Sequence, residues 1–120
     1  MTLPSKELLS EVLDIKVVEV YKIRSNPNFK DNTLLHRIEG CAVLFTINIH
    51  ELAHKCKEWA YKNKFIIETG FTTSGDWFYT VLEVKDTSPY VAEVKTNWGI
   101  TEPEAVFQAC QWVLDNKDEK

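Results

Sequence analysis

The sequence predicts an α+β fold in which an antiparallel sheet of three to five strands is packed by helices. Strand-like runs rich in β-branched residues occur in neighbouring groups separated by turns, which is typical of hairpins. Helical runs with one apolar side occur near both ends and in the middle of the chain. Because strands do not alternate singly with helices, we expect antiparallel pairing, in the order α-β-β-α-β-β-β-α.

Composition predicts one domain. The chain has 120 residues, of which 44% are hydrophobic, enough for a core without disulfides or metal. We expect residues 1–120 to form this single domain. The alternative is a division into residues 1–47 (α-β-β) and 48–120 (α-β-β-β-α), in which the first part would have a poor core of its own.

Charge and cysteine usage indicate a cytoplasmic protein. With 14 basic and 18 acidic residues the net charge is −4, which gives no overall attraction to nucleic acid or anionic lipid. Cys41, Cys56 and Cys110 are far apart and lack C-x-x-C spacing, so we expect reduced, buried thiols. Since no apolar run approaches the ~20 residues that span a bilayer, we expect no membrane association.

The first 47 residues predict a helix followed by two strands. Residues 2–13 show helical spacing, and residues 15–23 alternate as a strand does. Turn-forming residues at 25–32 predict a loop and hairpin tip. A second strand follows within residues 34–47, where Gly40 indicates a bulge and the apolar stretch 42–47 is expected in the middle of the sheet.

The clearest helix in the sequence runs from Asn48 to Lys64. Asn48 is a good N-cap, and Glu51 can complete a capping box. At 100° per residue, one side of the helix is apolar and predicted to be buried, namely Ile49, Leu52, Ala53, Cys56, Trp59 and Ala60. The opposite side carries His50, His54, Lys57 and Tyr61.

Within this helix, residues 50–54 match H-E-x-x-H, the zinc-hydrolase motif. In such enzymes His50 and His54 would bind the metal and Glu51 would activate water as the catalytic base. A third protein ligand is also required, for which the candidates are Glu68, Glu102, Glu104 and His36. Because both imidazoles lie on the polar side of the helix, we expect two solvated histidines and no metal, with zinc as the alternative cofactor.

The remaining residues predict three strands and a closing helix. Strands at 65–72, 77–84 and 90–96 are separated by turns at 73–76 and 86–89. Thr101 is a strong helix N-cap, with proline in the first turn and Glu104 three residues on. We place Trp98 in the loop between the last strand and this helix.

The α-β-β-β-α order after Asn48 is also that of double-stranded RNA-binding domains. Lys55 and Lys57 on the first helix could contact phosphates. However, those domains place lysines at the start of the last helix, where this chain has Glu102 and Glu104. Since residues 48–120 hold eight lysines against twelve acids, the charge disfavours nucleic acid.

Two helical stretches carry a family resemblance. The segments KCKEWA (55–60) and TEPEAVFQACQW (101–112) resemble small uncharacterised bacterial proteins, some of them prophage-borne, that pair these two helices. In such proteins tyrosine often takes the place of His50, which would break the zinc motif. The closing helix is also similar to those of phage α/β sandwich proteins and of antitoxins. The resemblance implies common descent and no particular activity.

We therefore expect a small non-enzymatic α+β protein of phage or mobile-element type. It would act by binding a protein partner or itself, with Trp98, Lys55 and Lys57 as the predicted contact residues. The two alternatives are a zinc-dependent hydrolase and an RNA-binding module.

Overall fold

The chain contains three helices and six strands within the residues that its computed structural model describes. These residues are 3–26, 29–84, 91–99 and 101–117, and side chains are described for all of them except 22–26, 29–32 and 91–99. The elements are α1 (Lys6–Leu13), β1 (Val17–Asn26), β2 (Phe29–Ile38), β3 (Phe45–Asn48), α2 (Ile49–Lys62), β4 (Phe65–Phe71), β5 (Trp77–Val84), β6 (Val91–Gly99) and α3 (Glu102–Asn116).

The α+β class with antiparallel strands is confirmed, and the structure adds one strand before α2. The strands form two antiparallel sheets of three strands, ordered β1-β2-β3 and β4-β5-β6. Gly40 has a φ of 83°, a left-handed conformation that glycine adopts without steric cost. It ends β2 in a turn at residues 39–40, so the second predicted strand becomes the separate strands β2 and β3. A turn therefore occupies the position of the predicted bulge.

The β1–β2 hairpin is longer than predicted. Its strands continue through most of the segment expected to be a loop, and Asn26 pairs with Phe29 at the end of the ladder. Residues 27–28, in the predicted loop, lie outside the described residues, as does the predicted turn at 86–89. The error arose because turn-forming residue types occur there within a hairpin whose pairing is set by the partner strand.

The second sheet follows the prediction closely. Strand β5 has the predicted limits, and β4 ends one residue early. Strand β6 extends to Gly99, so that Trp98 lies in a strand opposite Phe78. The prediction of a loop at Trp98 was therefore wrong, because a single loop signal from Asn97 and Gly99 is weaker than pairing with β5.

One buried cluster joins the three helices and both sheets. Helix α2 buries the six residues that its periodicity predicted, and it contacts β2, β3 and β4 as well as α1 and α3. Helix α3 covers β4, β5 and β6. Its side chains are fully buried at Ala105, Val106, Ala109, Cys110 and Val113, and nearly so at Phe107. Among the described residues, no helix is long and apolar enough to cross a membrane.

Capping at Asn48 is expected to contribute measurably to stability. The Asn48 side-chain oxygen accepts hydrogen bonds from the His50 and Glu51 backbone N–H groups, at 2.8 and 3.2 Å. Loss of such a cap costs ~1 kcal/mol. We expect Asn48→Ala to lower the free energy of unfolding in urea by about that amount, while Asn48→Asp, which keeps the acceptor, stays near wild type. Equal losses in the two variants would contradict a capping role.

Candidate functional site

The two histidines of the zinc-like motif lie on the exposed side of α2. His50 and His54 face solvent while Leu52 beneath them is fully buried, as the helical periodicity predicts. His54 Nε2 lies 2.9 Å from Glu58 Oε1, one turn further along the same helix. This His54–Glu58 contact is an exposed surface pair, which contributes little to stability.

Two of the candidate third ligands, Glu102 and Glu104, make contacts of their own. Glu102 Oε1 lies 3.8 Å from Lys57 Nζ, and buried Glu104 accepts a hydrogen bond from Gln108 at 3.4 Å. Within the part of the chain that the structure describes, no group of three histidine, cysteine or acidic side chains could hold a metal ion. Glu51 is exposed in the first turn of α2.

The two lysines predicted to bind a partner point in different directions. Lys57 approaches Glu102 at the start of α3. Lys55 lines a cleft of about 290 Å³ between α1 and α2, together with Lys62, Trp59 and the acidic residues Glu11, Asp14 and Glu58. Because acidic residues lie beside both Lys55 and Lys57, the two lysines do not form the continuous basic surface that a phosphate backbone requires. Trp98 is placed by its backbone in β6, and its side chain lies outside the described side chains.

An exposed apolar segment lies at the outer strand of the first sheet. Val43 is 65% exposed, Leu44 50% and Phe45 39%, and Thr46 is also exposed. We refer to Val43–Thr46 as the β3 edge. Among the described residues β3 pairs with β2 alone, so the opposite side of this strand presents backbone groups available for pairing. The prediction that residues 42–47 lie in the middle of a sheet was therefore wrong.

Buried side chains of β2 lie opposite the residues of β3. On the paired strand, Leu34 lies opposite Ile47 and His36 opposite Phe45, and both β2 side chains are buried. The His36 and Phe45 ring centroids are 6.2 Å apart. Buried His36 Nδ1 has no hydrogen-bond partner among the residues that the structure describes. The last residue of β3, Asn48, is also the N-cap of α2. Strand β3 therefore leads directly into a helix whose apolar side is buried in the core, and this fixes the direction of the strand.

The sequence contains a signal for the β3 edge. Four apolar residues, 42–45, follow directly after a turn at Gly40, where turns normally carry polar side chains. Apolar runs are typical both of central strands and of exposed binding surfaces, and only the strand order distinguishes them. A contiguous exposed apolar patch on a folded domain marks an interaction surface.

A second exposed aromatic pair lies at the turn of the β4–β5 hairpin. Phe71 is 60% exposed, and its ring centroid lies 5.0 Å from that of Trp77, its cross-strand partner. The turn beyond this pair is polar and internally hydrogen-bonded, with Thr72 accepting from the Asp76 backbone N–H at 3.2 Å. Phe71 and Trp77 thus contact each other at the end of their hairpin, while Phe71 stays largely exposed.

The buried cysteines belong to the helix interface. Cys110 Sγ donates to the Cys56 carbonyl oxygen at 3.4 Å, and both residues are fully buried between α2 and α3. A side-chain interaction with the Cys56 thiol, together with burial, raises the pKa of the Cys110 thiol well above its ordinary value. A protonated buried thiol is a poor nucleophile, so Cys110 is a structural residue. Cys41 is only half-buried.

The burial of Cys56 and Cys110, compared with the partial exposure of Cys41, predicts how each thiol reacts and how stability changes at alkaline pH. We expect Cys41 alone to react rapidly with a thiol reagent in the native protein, and Cys56 and Cys110 to react only after unfolding. Because the pKa of Cys110 is higher in the folded state, its contribution to stability is present at neutral pH and is lost as the pH rises above the ordinary cysteine pKa.

Urea titrations at increasing alkaline pH check the second expectation. Stability of the wild type should fall more steeply with pH than stability of Cys110→Ala, with Cys41→Ala as the matched control that keeps the wild-type slope. Parallel slopes for wild type and Cys110→Ala would contradict the assignment.

Comparison with known proteins gives no relative. The chain matches no protein-family model, no curated protein and no solved structure.

Proposed function

We propose that this chain is a non-enzymatic protein that acts by binding protein through the β3 edge. The observation that carries the proposal is the exposure of Val43, Leu44 and Phe45 at the start of β3, a strand that pairs on one side only among the described residues. Burying apolar surface provides ~25 cal/mol per Å², and added backbone hydrogen bonds fix the orientation of the bound strand. These are the two components of binding by strand addition.

The chemistry offered by the other polar residues supports a binding role over an enzymatic one. The imidazoles of the zinc-like motif face solvent, and the α2 lysines face carboxylates. Descent from a phage or mobile element is part of the proposal and rests on the resemblance of the two helices. A prophage or toxin gene beside this one in its genome would support that part.

Capture from the native host tests the binding role. Wild-type protein and Thr46→Lys, which places a charge on the β3 edge, are immobilised in parallel and exposed to host extract, and the chain's own mass is followed by light scattering. We expect the wild type to bind protein, either itself or a host protein, and Thr46→Lys to lose that binding. Identical behaviour of the two proteins would overturn the proposal.

Each alternative has its own readout. A zinc hydrolase would retain stoichiometric zinc after purification without chelator, and its imidazole resonances would shift on zinc addition. An RNA-binding module would retain duplex RNA in a salt-sensitive manner and lose it when Lys55 and Lys57 are changed to glutamate.

A further inference from the structure

The four outer strands of the two sheets, β1, β3, β4 and β6, differ in whether they contain charged residues. Charged residues on an edge strand prevent it from pairing with another edge. Strand β1 contains Glu19, Lys22 and Arg24, β4 contains Glu68, and β6 contains Glu93 and Lys95. Strand β3 contains none, and no acidic or basic residue occurs from position 40 to position 49. Charged residues therefore occur in three of the four outer strands and not in β3.

We propose that the β3 edge is occupied by a second copy of this chain, whose β3 pairs antiparallel with it about a two-fold axis. This inference rests on the proposed function and identifies the partner. The result is a continuous sheet in the order β1-β2-β3-β3-β2-β1. Because a two-fold contact uses the same surface on both copies, it closes as a dimer and leaves no unprotected edge for further growth.

Charge favours this occupant over a charged peptide. An acidic or basic segment placed along β3 would find no counter-charge between residues 40 and 49 and would lose hydration. A second β3 is equally uncharged, so no register of the pair sets like charges opposite each other. With the two-fold axis near Phe45, the apolar side chains at Val43, Leu44 and Phe45 are covered by residues 43–47 of the other copy.

Long-range charge gives the dimer a distinctive salt dependence. Each copy has a net charge of −4, so two copies repel each other at a distance while their contact surface is neutral. Salt screens that repulsion and does not weaken the apolar contact. We therefore expect dimerisation to strengthen as salt increases, the reverse of an association driven by opposite charges.

Light scattering on paired charge variants tests the proposal. Thr46→Lys and Thr46→Glu each place a charge on the edge, and Thr73→Lys and Thr73→Glu place the same charges on the exposed β4–β5 turn as matched controls. We expect wild type and the Thr73 variants to show the mass of two chains, and each Thr46 variant to show the mass of one. An equimolar mixture of the two Thr46 variants should regain the dimer mass, because opposite charges then face each other.

A second pair of variants shows whether a loss of the dimer is caused by misfolding. Leu44 lies in the loop before β3 and is half exposed, so a charge there should not prevent folding. We expect Leu44→Lys and Leu44→Glu each to have the mass of one chain, their mixture to have the mass of two, and both to keep the wild-type circular dichroism spectrum. A wild-type dimer that persists in all of these variants, or a wild type that remains monomeric at high protein and salt concentration, would overturn the proposal.

The outcomes also separate this inference from the proposed function. A monomeric wild type that captures a host protein, with that capture lost in Thr46→Lys, overturns the second copy and keeps the β3 edge as a binding surface. A monomeric wild type whose captures are unchanged in Thr46→Lys overturns both.

Discussion

Replacing Phe107 by alanine is expected to lower the free energy of unfolding by about 3–5 kcal/mol. Among the described residues Phe107 is the largest fully buried side chain, 1% exposed, and it lies on α3, which packs against the second sheet and the other two helices. Removing the ring forfeits its burial and leaves a cavity bounded by helix and sheet, neither of which can collapse far. The loss is a large part of the stability of a domain of this size.

Urea denaturation followed by tryptophan fluorescence measures this loss. Tyr61→Ala is the matched control, since Tyr61 is an aromatic residue on α2 that is 67% exposed, and its replacement should change stability by less than about 0.5 kcal/mol. A Phe107→Ala protein as stable as Tyr61→Ala would show that α3 does not close the core.

The second large effect concerns Gly70 in β4. Gly70 pairs with Phe78 in β5, and a Cβ built on Gly70 would overlap the Phe78 ring. The ring lies over the glycine, an arrangement in which an aromatic side chain covers the backbone of the neighbouring strand. We expect Gly70→Ala to lower the free energy of unfolding by roughly 1–3 kcal/mol, because the ring must move or the strands must separate.

A double-mutant cycle with Phe78→Ala separates this clash from a general preference for glycine. Without the ring, the alanine at position 70 has space and gains the better strand propensity, so Gly70→Ala should then be neutral or stabilising. An equal cost of Gly70→Ala in both backgrounds would contradict the steric explanation.

The sequence predicted most accurately those features that depend on local chemistry. The first residues of α2 and α3 follow from Asn48 and Thr101, whose side chains cap the helices through hydrogen bonds to residues two or three positions on. The buried side of α2 follows from its own periodicity. Both depend only on neighbours in the chain, so one sequence was sufficient to predict them.

The division into two sheets could not be predicted in this way. Gly40 was recognised as an interruption, but whether it marks a bulge or a turn depends on which strand pairs with β2, a contact between distant residues. For the same reason, residues 42–47 were incorrectly predicted to lie in the middle of a sheet. The β3 edge was missed for this reason, because apolar content does not distinguish an interior strand from an exposed one.

The position of α3 has a consequence for synthesis of the protein. Every strand and helix that α3 covers precedes it in the chain. While residues 102–116 remain inside the ribosome, the inner face of the second sheet and the side of α2 beside Cys56 have no cover. The nascent chain therefore exposes this surface to chaperones until residues 102–116 have left the ribosome, and the native core closes only after that release.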